Sequence, residues 1–126
     1  MHFSLAATKG RVSDASAVVM TVPSAGETEW DANWIVGGSL SEFLSLGCEW
    51  GYFALENLAY EWDATIDEIE SGPSGEDSFE EDGERLRIFR AELGVKPWPN
   101  VRERLEELQR QKRFLLRFTK PWFRFW

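Results

Sequence analysis

The chain has 126 residues, 43% hydrophobic and 29% charged, with one cysteine, one histidine and a net charge of −8. That composition excludes a disordered chain and gives enough apolar material for one hydrophobic core, not two. The charge is divided along the chain: residues 1–84 hold 18 acidic and two basic side chains, whereas residues 85–126 hold four acidic and 12 basic. A chain polarised in this way steers partners by sign, and its acidic part repels nucleic acid and attracts basic protein.

The first elements are strands. The stretches "HFSLAA" and "SAVVMTV" have strand propensity, the second more strongly through Val18, Val19, Met20, Thr21 and Val22. The segment "TKGRVSD" between them suits a hairpin connection. Pro23 and Gly26 break the chain, and "SAGETEWDAN" reads as a polar loop. Trp34 to Val36 form a third short strand that ends at Gly37 and Gly38.

Helices follow. Ser39 and Glu42 have the spacing of a capping box. It predicts a helix carrying Leu40, Phe43, Leu44 and Leu46, stopped by Gly47. A second helix is expected from Trp50 or Gly51, with Phe53, Leu55, Leu58, Ala59 and Trp62 on one wide apolar surface. Asp63 or Thr65 restarts a turn that faces Ile66 and Ile69 inward. The acidic segment "ESGPSGEDSFEEDGE" is a loop or the approach to the next helix. That helix spans about Glu80 to Leu93, aligns Leu86, Phe89 and Leu93, and stops at Gly94. "VKPWPN" is a rigid connector, and Asn100 and Glu103 repeat the capping spacing before a stripe of Val101, Leu105 and Leu108 that runs to about Gln111.

Strands before helices argue an α+β fold, a small antiparallel sheet followed by several helices. The expected organisation is a domain over residues 1–112 and a basic, aromatic tail over residues 113–126. Phe43, Leu44, Cys48, Tyr52, Phe53, Leu58 and Trp98 are expected in the structural core.

Few residues offer chemistry. His2 stands beside the initiator, where a catalytic triad or a histidine metal site has no firm base. Cys48 has Glu49 beside it and no basic residue between Arg11 and Arg85, so a buried apolar role is expected rather than a nucleophile. The acidic segment lacks the alternating ligand spacing of an EF-hand loop, and neither glycine pair matches a phosphate-binding loop. No catalytic residue, metal or cofactor is therefore assigned. The tail suits three roles: packing on the domain, contact with an anionic membrane surface, or contact with single-stranded nucleic acid. No run reaches the ~20 apolar residues of a spanning helix, and "MHFSLAATKGRV" lacks the features of a signal peptide. With the single thiol, this leads to a cytoplasmic expectation.

Three stretches, "VVMTVPS", "IVGGSLSEFLSLGCEWGYFALENLAY" and "LGVKPWPNVRERLEELQ", resemble the SUKH superfamily, which includes fungal Smi/Knr-type regulators and many small bacterial proteins. The resemblance covers residues 16–111 and is mainly to the C-terminal portion of the domain. It implies an α+β binding scaffold with no catalytic residues. Many bacterial relatives are immunity proteins that bind and neutralise a polymorphic toxin. A basic toxin domain, such as a nuclease, is thus the expected partner, met by an acidic face of Asp63, Asp67, Glu70, Glu76, Asp77, Glu80 and Glu81. The alternative is a regulatory interaction module of the Smi/Knr type with a non-toxin partner.

Overall fold

In a computed structural model of the chain, residues 1–25, 32–72 and 80–116 are described. Strands β1 (His2–Leu5), β2 (Val18–Thr21) and β3 (Asn33–Gly37) form an antiparallel sheet in the order β1-β2-β3. Between β1 and β2, Thr8 and Arg11 exchange backbone hydrogen bonds of 2.8 and 3.0 Å across Lys9 and Gly10. Both turn residues have positive φ, 53° and 74°, which is the twist that a tight hairpin turn requires. Register pairs Phe3 with Met20 and Met20 with Trp34, and it shifts opposite Val18 and Val19, where β3 carries Val36 as an extra residue.

The unbroken apolar run of β2 is explained by burial on both faces of the sheet. Val18 and Met20 pack with Val36, Phe43, Leu55, Leu58 and Ile66, while Val19 packs on the opposite face with Ala17, Ile35, Leu108 and Leu116. Helix α1 (Leu40–Leu46) follows β3 directly. Ser39 caps it, its Oγ accepting from the Glu42 amide at 3.1 Å. The reciprocal arm of the capping box is displaced by one residue: Glu42 Oε1 accepts from the Gly38 amide at 2.6 Å.

Gly47 closes α1. A side chain there would collide with the Tyr52 ring, so the chain turns sharply beneath that ring only because position 47 has none. Tyr52 donates from its hydroxyl to the Leu44 carbonyl at 2.7 Å and packs against Phe43, ring centroids 5.1 Å apart.

The second expected α-helix is instead a 3-10 segment, Phe53–Ala59. This corrects one core assignment. With three residues per turn, Leu55 and Leu58 stack on the inner side and are buried, and Phe53 is turned outward and 89% exposed. Cys48, Phe43 and Leu58 are buried as expected, and Leu44, Tyr52 and Trp98 are partly buried against the same core.

Helix α2 (Trp62–Ser71) buries Thr65 and Ile66, with no side-chain cap at its start. Helix α3 (Glu80–Leu93) has the expected bounds, but none of its described residues is buried, and Leu93 is exposed rather than inward. It is attached through Phe89, whose ring meets Tyr52 edge-on at 6.4 Å, and through Arg90, which donates to the Cys48 carbonyl at 2.6 Å.

Helix α4 (Val101–Arg110) lies along β3 and reaches both faces of the core, Leu105 on one and Leu108 on the other. The Gln109 amide donates to the Ile35 carbonyl at 2.7 Å and accepts from the Ile35 amide at 2.9 Å. The Asn100 side chain does not cap α4. It donates to Glu103 Oε2 at 2.8 Å. A short helix, α5 (Lys112–Leu115), then brings Leu115 and Leu116 onto the second core face, so the packed body extends past residue 112. Lys112 is buried there with its Nζ 5.9 Å from the Trp34 ring centroid. Residues 117–126 of the expected tail lie outside the described residues.

Candidate partner-binding face

The residues expected to form an acidic face fall into two groups. Asp63, Asp67 and Glu70 lie three or four apart on α2, so they share one side of the helix. Glu76 and Asp77 lie outside the described residues, as do the side chains of Glu80 and Glu81, whose backbone opens α3.

The α2 carboxylates are not an isolated patch. Arg102 on α4 bridges Asp63 at 2.6 Å and Asp67 at 2.9 Å, and its backbone amide donates to Glu70 Oε1 at 2.9 Å. The hydrogen bonds to Asp63, foremost, and to Asp67 raise the Arg102 pKa. Two carboxylates therefore share one guanidinium while the third takes the backbone amide of the same residue, and the group stays net negative. The two aspartates keep most of their surface in solvent, with side chains 82% and 72% exposed.

Behind Glu70 the chain forms a cavity of about 320 Å³. Its walls come from the turn after α1 (Glu49, Trp50), from α2 (Ile69, Glu70) and from the Pro97–Asn100 connector, which contributes Trp98. Its charged lining residues, Glu49 and Glu70, are both carboxylates, and no basic side chain lines the cavity. Glu49 makes no hydrogen bond or ion pair with a described residue. Among the described residues, the one buried side-chain polar atom without a hydrogen-bond partner is Trp50 Nε1.

Trp98 separates this cavity from a second one lined by Glu42, Glu103, Arg104 and Glu107. Trp98 Nε1 donates to the Glu42 carbonyl at 2.8 Å, which fixes the ring as a rigid partition. The second cavity holds three carboxylates but, unlike the first, also a basic side chain. Arg104 forms a two-pronged pair with Glu42 at 2.9 and 3.0 Å and a further one with Glu107 at 3.3 Å. The Glu42 hydrogen bond is the main cause of the raised Arg104 pKa.

Cys48 is poorly suited to act as a nucleophile. Cys48 is fully buried, and burial, with Glu49 second, pushes its thiol above the ordinary range. Arg90 acts in the other direction but is the weaker influence. A protonated, inaccessible thiol is a poor nucleophile. Burial likewise pushes the Tyr52 hydroxyl up to about 12. No group of three or more His, Cys, Asp or Glu side chains is placed to hold a metal ion among the described residues, and none of their helices is long and apolar enough to cross a membrane.

Sequence reasoning placed Glu70 and Trp98 but gave neither a cavity role. Glu49, Trp50, Pro97 and Pro99 were missed as lining residues. The visible signal was the pairing of two tryptophan-containing turns, "CEWG" and "KPWPN", each too short to be a helix or strand. Compared with protein-family models, with curated proteins and with solved structures, the chain matches none.

Proposed function

We propose that this chain is a non-enzymatic, SUKH-type protein-binding domain that receives a basic protein partner on its α2 face, as an immunity protein does when it blocks a toxin. The observation that carries the reading is the charge state of that face: three carboxylates against one arginine, with Asp63 and Asp67 mostly in solvent. Exposed carboxylates of one sign accelerate encounter with a cationic surface and select against anionic ones. A toxin that acts on nucleic acid carries such a cationic surface, because it must hold phosphates. The family resemblance of residues 16–111 supplies the immunity role, and the exposed carboxylates supply a physical reason for the choice of partner.

The test is co-expression with the product of a neighbouring toxin-like gene. The expected result is a stable complex and rescue of growth, with association slowed about tenfold by the double change Asp63→Asn, Asp67→Asn and by added salt. A chain that neither binds nor protects overturns the proposal.

A further inference from the structure

We infer that the cavity between Glu49, Trp50, Glu70 and Trp98 is an anchor pocket for one long-chain cation, an arginine or lysine side chain presented by the partner. The inference rests on the reading above that the partner is a basic protein, and it names the contact that such a partner makes.

Three observations converge. The first is wall chemistry. Two indoles and the apolar side chains of Ile69 and Pro97 face an apolar stem, and the carboxylates of Glu49 and Glu70 face a charge. Aromatic walls attract cations through the negative face of the ring, and a guanidinium also stacks flat on an indole. The second is exclusion. Two carboxylates in a cavity that no basic side chain lines repel an anion, and the described residues assemble no three-ligand metal group here. A small hydrated metal gains little from indole walls, whereas an organic cation uses both wall types.

The third is the contrast with the cavity across Trp98. There Arg104 already stands among Glu42 and Glu107. Glu70 is steadied by the Arg102 amide, but Glu49 has no described partner. The fold has therefore built two acidic cavities around one tryptophan and supplied a cation of its own to only one of them. The volume of about 320 Å³ is at the small end for ligand sites, which suits one side chain better than a whole peptide.

The experiment uses the full 126-residue chain and follows the indole N–H resonances of Trp50 and Trp98 by NMR. Capped Gly-Arg-Gly, Gly-Lys-Gly and the neutral isostere Gly-citrulline-Gly are titrated to roughly 10 mM, the range in which a single side chain binds. The expected result is saturable movement of both resonances with arginine or lysine and none with citrulline. The larger response tells which of the two cations the pocket prefers. Glu49→Gln, which removes no described contact, should weaken binding about tenfold while leaving the melting temperature unchanged. Equal movement with citrulline, no movement with either cation, or unaltered affinity in Glu49→Gln overturns the assignment. If Glu49→Gln binds the partner protein as tightly as the parent while Asp63→Asn, Asp67→Asn does not, only the pocket is lost. If the cations bind and no partner complex forms, it is the functional reading that fails.

Discussion

The two indoles bordering the acidic cavity use their N–H groups differently, and the difference has a measurable consequence. Trp98 donates to the Glu42 carbonyl at 2.8 Å, whereas the buried Trp50 Nε1 has no acceptor among the described residues. An unpaired buried donor costs about 1–3 kcal/mol, and removing it returns part of that cost. Trp98→Phe leaves a helical carbonyl without its donor, so it should destabilise the fold by about 1–2 kcal/mol more than Trp50→Phe. Chemical denaturation of the two variants measures this, and equal losses would show that the Trp50 N–H is satisfied in solution. At this scale the sequence was only partly legible. The buried character of Cys48 was expected from its acidic neighbour and the lack of basic residues around it, but which indole bonds and which does not depends on a carbonyl 56 residues away from Trp98.

Among the elements, α4 determines where the others sit. Arg102 reaches α2, Arg104 reaches the start of α1, and Gln109 reaches β3. These ties are unequal. Glu42 is 27% exposed and accepts from Gly38 and from both prongs of Arg104, so Glu42→Ala leaves the Gly38 amide without its acceptor and the Arg104 guanidinium with Glu107 alone. It should cost about 2 kcal/mol. Arg102→Ala breaks solvent-exposed pairs and should change stability much less, with an effect that fades in high salt. Thermal melts of both variants at low and high salt check the ranking. Helix bounds were readable where caps and stripes agreed, as in α1 and α4. They were misread at residues 53–59, where "YFALENLAY" has the apolar content of an α-helix and adopts three residues per turn. Leu55 and Leu58 satisfy either period, so only Phe53 reveals the difference. Asn100 and Glu103 show the same ambiguity: the spacing suits a cap, but the two side chains bond to each other.

Over the whole molecule, the charge division along the sequence becomes partly internal complementarity. Acidic residues of the first two thirds, Glu42, Asp63 and Asp67, are held by arginines of the last third. The total charge was legible from composition. Its distribution was not, because the pairs that consume part of it join residues 35–62 positions apart. The α+β order was also legible, since strands and helices are segregated along the chain. The covering of the sheet on both faces was foreshadowed only by the unbroken run Val18–Met20. One tie of α4 also bears on self-association. By donating to and accepting from Ile35, Gln109 occupies both peptide groups of the central residue of β3, as a neighbouring strand would. Gln109, with the rest of α4 lying along β3, thus obstructs that margin of the sheet to the cross-β growth through which exposed strands recruit copies of themselves. Gln109→Leu keeps the bulk and removes the bonds, and light scattering at moderate temperature should then detect aggregation that the parent chain resists.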